Sequence, residues 1–133
     1  SLEIGVLVPN NKMRKSIINR LNKHLQGKKT IVQTYASDDS ALNASDLVFD
    51  KPGYITVLNF KSAKGLEFDS VFVIEPSRLI SRGESELNAR MNLYVMCSRA
   101  REFLNVMMMK DDSCKTVFNW LPPRNNLYHV EEL

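Results

Sequence analysis

An α/β domain with a mostly parallel central sheet flanked by helices is the fold this sequence predicts. Two observations lead there. Short runs of aliphatic and β-branched residues alternate with segments of helical period, and the runs are apolar at nearly every position, as in strands covered on both faces. The length of 133 residues suits one compact domain, so residues 1–133 are expected to share a single core.

The first run, Leu2 to Val8, stops at Pro9. Asn10 or Asn11 can cap the helix that follows, in which Met13, Ile17, Ile18, Leu21 and Leu25 recur at helical spacing and Lys12, Lys15, Asn19 and Lys23 take the other side. Gly27 supplies a stop. Thr30 to Tyr35 reads as a second strand, and the Ser-, Asp- and Asn-rich stretch from Ala36 to Asp46 as loop or a short helical turn. After the turn Lys51-Pro52-Gly53 come the two strongest strand signals, Tyr54 to Phe60 and Asp69 to Glu75. Between Ser85 and Ala100 the stripe Leu87, Met91, Tyr94, Val95 and Ser98 predicts a second long helix with that face inward, started by Ser81, Glu84 or Ser85. Phe103 to Met109 is a further strand whose methionines are expected to fill the core. Lys115 to Trp120 suits a brief helix before Pro122-Pro123, and Leu127 to Leu133 a last edge strand.

Composition excludes several classes. With 44% hydrophobic and 25% charged residues the chain has the balance of a globular protein, not of a disordered tail. No apolar run approaches the roughly 20 residues of a membrane helix, and the start lacks the basic and apolar regions of a signal peptide, so a cytoplasmic location without membrane association is expected. Cys97 and Cys114 are too far apart in sequence for a close metal-type pair and too few for a disulfide framework, so reduced thiols and no metal site are expected. A formal charge of +3 suits a polyanion but does not require one.

The most informative residues lie between and after the strong strands. Lys61 to Val73 reads KSAKGLEFDSVFV, and Asn92 to Glu102 reads NLYVMCSRARE. The first resembles motif V and the second motif VI of the UvrD/Rep-type superfamily 1 DNA helicases, in the family's order and spacing. The opening IGVLVPNNKMRKSIINRL also resembles the strand and helix that begin the second motor lobe of those enzymes. The resemblance implies a RecA-like three-layer domain, the C-terminal lobe of an ATP-dependent motor that translocates on single-stranded DNA.

It also implies roles. Arg99 would be the arginine finger, catalytic and nucleotide-binding, since a permanently charged planar guanidinium at a helix end can stabilise charge on the γ-phosphoryl oxygens of ATP. The bland alternative is a surface salt bridge. Glu67 would contact the ribose or the network between lobes, against a structural ion pair; Gly65 would allow close approach to the nucleotide, against an ordinary turn glycine. Lys61 stands where many relatives have His and would contact the DNA backbone, with Ser62 and Lys64 assisting, although Lys64 could instead brace the crossing segment. Asn11 matches a further DNA-contacting position, while Pro9 replaces its usual basic neighbour.

The sequence has no Gly-rich phosphate loop and no Asp-Glu pair for magnesium after a strand. ATP and Mg²⁺ would therefore be held together with an N-terminal RecA-like ATP-binding lobe, with the Mg²⁺ ligands outside this chain, and the chain alone should not hydrolyse ATP. The stretch from Gly27 to Lys51 is too short for the large helical insertion of UvrD itself, so a piece of a larger protein with that insertion reduced or lost is expected. A catalytically inactive RecA-like module that binds nucleic acid or docks protein is the alternative. A dinucleotide-binding Rossmann domain is disfavoured, because no Gly-x-Gly-x-x-Gly follows a strand.

Overall fold

The computed structural model describes residues 2–80, 85–122 and 128–133. Five strands, β1 (Ile4–Val8), β2 (Ile31–Tyr35), β3 (Tyr54–Asn59), β4 (Phe68–Ile74) and β5 (Ala100–Met107), form one sheet in the order β2-β3-β1-β4-β5, with every neighbouring pair parallel. Among the described residues three α-helices accompany it: α1 (Asn11–His24), α2 (Glu86–Cys97) and α3 (Asp112–Trp120).

Alternation along the strands builds two cores. Val6, Val8 and Val57 face α1 and pack with its Met13, Ile17, Ile18 and Leu21. Leu7, Leu58, Val71 and Val73 face the other way, against Ala89, Leu93 and Met96 of α2 and Val117 of α3. Both faces of the central strands are thus covered, which is why their sequences are apolar throughout. The helices start on side-chain caps: Asn10, Ser85 and Asp111 accept from the backbone N–H of Met13, Asn88 and Cys114 respectively.

Phe68 departs from strict alternation. It lies in the same core as Val71 and Val73, although residues three apart should face opposite ways. The pairing is irregular at the same place: Phe68 pairs with Ala100 but Ser70 with Phe103, so β5 carries an extra residue opposite Asp69 and the ladder is bulged there. The Phe68 ring lies on Gly5, where an added Cβ would stand 2.5 Å from the ring's Cδ2. Only glycine leaves room for the ring at that point of β1.

Three expectations need correction. The stripe Leu87, Met91 and Tyr94 faces outward, at 64%, 58% and 73% exposure, and α2 buries Ala89, Leu93 and Met96 instead. The buried face carries one small and two large side chains, so the exposed face holds as much apolar bulk as the buried one. In the methionine run, Met107 and Met109 are exposed and Met108 alone packs against the core, because β5 is an edge strand. Tyr128–Leu133 pair with no strand, and Leu127, like the candidate helix starts Ser81 and Glu84, lies outside the described residues.

Candidate functional site

The segment 60–67 leaves the carboxyl end of β3 and must enter the amino end of β4, which lies beyond β1 in the same parallel sheet. It therefore runs the height of the sheet, about 15–20 Å for strands of this length. The expected site residues divide between its two ends.

At the carboxyl end stands Asn59, the last residue of β3 and 9% exposed. Its Nδ2 donates to Asn11 Oδ1 at 2.5 Å, and its Oδ1 accepts from the Ser62 backbone N–H at 3.0 Å. Asn59 thereby joins the start of α1 to the start of the crossing. The Asn11 amide is committed on both sides: its Nδ2 donates to the Asp38 carboxylate at 2.9 Å, and its Oδ1 also accepts from Arg14 Nε at 3.1 Å. Arg14 is only 2% exposed, and its other hydrogen bond runs from a terminal nitrogen to Thr34 Oγ1 at 2.9 Å. Thr34 in turn donates to the Val57 carbonyl at 2.7 Å. Ser62 Oγ is shielded from solvent and has no hydrogen-bond partner among the described residues. Lys61 projects into solvent with its ammonium 6.0 Å from the centroid of the Phe60 ring, and Lys64 is exposed further along. Gly65 has a φ of +83°, so the crossing turns there through a conformation that favours glycine.

At the amino end, the Phe68 backbone N–H donates to the Arg99 carbonyl at 2.8 Å. This brings the exposed Glu67, one residue before, alongside Arg99, which follows α2 directly. The Arg99 guanidinium folds back on the helix end: Nε donates to the Val95 carbonyl at 3.1 Å and a terminal nitrogen to Ser98 Oγ at 3.1 Å. Those contacts satisfy a carbonyl that the helix leaves unpaired and put a cation at its negative end. They use two of five N–H donors, and no salt bridge to Arg99 forms among the described residues. Its neighbour Arg101 is held differently, by Asp69 at 3.0 Å and by the Glu3 carboxylate.

Sequence reasoning set Arg101 apart from Arg99 as pointing to a different side, but it passed over Asn59, Arg14 and the pairing of Arg101 with Glu3 and Asp69. A signal for Asn59 was present, since it is a polar residue closing an otherwise apolar strand at the sheet end where ligands gather. Arg14 carried none, because an arginine on a helix among lysines reads as solvated. Among the described residues no three His, Cys, Asp or Glu side chains gather as a metal would need, and no helix is long and apolar enough to cross a membrane. Burial pushes the Cys97 thiol up to about 11.

Fold and geometry define a parallel α/β lobe with polar groups at both ends of its strands. Within it, residues 54–107, from β3 to the end of β5 with the crossing and α2, match the sequence model of the UvrD-like helicase C-terminal domain. The structure is also similar to the crystal structure of the C-terminal domain of a possible DNA helicase from Lactobacillus plantarum WCFS1, with a TM-score of 0.58 and 23% identity over 81% of this chain. The match covers 56% of that chain, so the present sequence spans just over half its length, and at this identity the likeness is one of fold. No curated protein matches the chain.

Proposed function

We propose that this chain is the C-terminal motor lobe of an ATP-dependent superfamily 1 DNA helicase. In that reading Arg99 is the arginine finger, Glu67 and Gly65 belong to the nucleotide side, and Lys61, with Lys64, grips the backbone of single-stranded DNA. One observation carries the reading: the segment 60–67 connects the Asn11–Asn59 end of the sheet with the Phe68–Arg99 end. Closure of an ATP cleft at one end can therefore move a DNA grip at the other through a single short piece of chain. In this reading the phosphate loop and the magnesium ligands belong to the partner lobe, because the sequence has no Gly-rich Gly-Lys-Thr/Ser loop.

The test is steady-state ATPase of the intact protein with saturating single-stranded DNA. Arg99→Ala should lower kcat by about 10³-fold or more, the usual worth of an arginine finger. Turnover near wild type would remove the assignment.

A second reading, a RecA-like docking or nucleic-acid-binding module without catalysis, is favoured by the outward apolar stripe Leu87, Met91 and Tyr94, since exposed apolar patches often mark contact surfaces. An intact protein that binds single-stranded DNA but shows no ATP turnover would decide for it.

A further inference from the structure

Two residues of the matched segment, Asp69 and Arg101, have no part in the function proposed above, yet they flank the Phe68–Arg99 backbone bond. Asp69 follows Phe68 and Arg101 lies two residues beyond Arg99. Arg101 Nε donates to Asp69 Oδ1 at 3.0 Å, and another Arg101 nitrogen donates to Glu3 Oε2. The Asp69 carboxylate accepts in addition from the Glu3 backbone N–H at 2.9 Å, and Glu3 Oε1 accepts from the Asp50 backbone N–H at 2.7 Å. The Ser70 N–H donates to the Glu3 carbonyl at 3.0 Å. Four segments, the entry to β1, the start of β4, the start of β5 and the loop before β3, are thus tied at one point.

The network sits at a bulge, where β5 carries an extra residue opposite Asp69; beside it the Phe68 ring lies on Gly5 and the Asp69 carboxylate meets Glu3 and Arg101. Bulges of this kind re-aim side chains next to functional sites. The network is partly shielded: Glu3 and Asp69 side chains are 14% and 21% exposed, Arg101 42%. The Glu3 backbone N–H and then the Arg101 charge hold the Asp69 carboxyl below its ordinary value of 3.8, so it is ionised wherever the protein works near neutrality.

We propose that Asp69 and Arg101 are positioning residues for Arg99, fixing the start of β5 so that the guanidinium emerges at one place relative to Glu67. This rests on the motor reading above. A surface ion pair at these exposures contributes little to stability by itself. Its value lies in geometry, since displacement of a catalytic group by about 1 Å can cost about 100-fold in rate.

The experiment is ATPase kinetics of the intact protein carrying Asp69→Asn, Arg101→Gln or Arg101→Lys, each alone and with Arg99→Ala. Asp69→Asn and Arg101→Gln should each lower kcat by about 10- to 100-fold while KM for ATP stays within about threefold. Arg101→Lys, which keeps the cation and a stable strand entry, should recover part of the loss. On the Arg99→Ala background neither change should lower kcat further, because residues that act through one group are not additive. A purely structural pair would lower activity equally on both backgrounds, and that result would overturn the proposal. So would wild-type kcat in the two single variants while Arg99→Ala is slow, which leaves the motor reading standing. If Arg99→Ala itself is silent, the motor reading falls and this proposal with it.

Discussion

The Phe68 backbone N–H and the Arg99 carbonyl meet at 2.8 Å, joining two segments that lie more than thirty residues apart in sequence. The bond places Glu67 beside Arg99, so the carboxylate expected at the ribose and the cation expected at the γ-phosphate share one end of the sheet. Among the described residues the Arg99 side chain keeps uncommitted donors there, whereas Arg101 is paired with two carboxylates.

From this follows a prediction about charge against shape. Arg99→Lys retains a cation but not the planar fork, and a lysine cannot hold the Val95 carbonyl while also presenting donors to a phosphate. Its kcat should stay at least about tenfold below wild type in the ATPase assay, since a point charge replaces a multi-donor contact. Full recovery would mean that charge alone matters at this position.

At the opposite end of the sheet, Lys61→Ala in the intact protein should weaken binding to single-stranded DNA. It should also reduce the slope of log K against log salt by up to about 0.7, the value for one lost phosphate contact on a single strand. Lys12→Ala, on the exposed side of α1, serves as a comparison. Titrations at several salt concentrations that give equal slopes for Lys61→Ala and wild type would place the lysine away from the track.

A third prediction concerns Gly5 and Phe68. Gly5→Ala puts a Cβ 2.5 Å from the fully buried Phe68 ring, closer than carbon atoms can approach. The variant should lose about 1–3 kcal/mol, the usual cost of overpacking, in urea unfolding of this chain. Adding Phe68→Leu should recover part of that loss. If Gly5→Ala is as stable as wild type, the ring does not rest on β1 as described.

How much of this was legible in the sequence depends on what each feature needed. The mostly parallel sheet and its flanking helices were readable from apolar runs and helical spacing, because central strands covered on both sides carry no polar alternation. The strand order was not, and the last edge strand expected at the C-terminal end does not form over Tyr128–Leu133. Nor was the inward face of α2 readable. Ala89, Leu93 and Met96 are the buried residues, and the larger stripe of Leu87, Met91 and Tyr94 that periodicity singled out is exposed. The sequence divided the candidate residues into a nucleotide set and a DNA set by resemblance alone, and it did not show that Asn11 and Arg99 stand at opposite ends of the sheet, since that follows from β1 lying between β3 and β4. Nor did it show the bulge at Asp69, which depends on pairing between segments distant in the chain.

The last prediction turns on Arg14, a cation with 2% exposure whose hydrogen bonds go to Asn11 Oδ1 and Thr34 Oγ1, both uncharged. Removing the arginine leaves neither acceptor stranded, because Asn11 Oδ1 still receives Asn59 Nδ2 and Thr34 still donates to the Val57 carbonyl. Arg14→Met fills much of the same space without a charge to bury, so its cost should stay below about 1.5 kcal/mol, the range of well-tolerated swaps of similar volume. Thr34→Val works in the opposite sense. It keeps the volume of the threonine but removes the oxygen that accepts from the guanidinium, and a hydrogen bond to a charged group is worth about 1.5–3 kcal/mol. In the Arg14→Met background the same Thr34→Val change should cost far less, about the loss of its one bond to Val57, or 0.5–1.5 kcal/mol by the usual estimate of about that size. Urea unfolding of the two single variants and the double variant measures all three quantities. If Arg14→Met proves more destabilising than Thr34→Val, the guanidinium has a stronger partner than Thr34 and Asn11, and the description of this end of α1 is wrong.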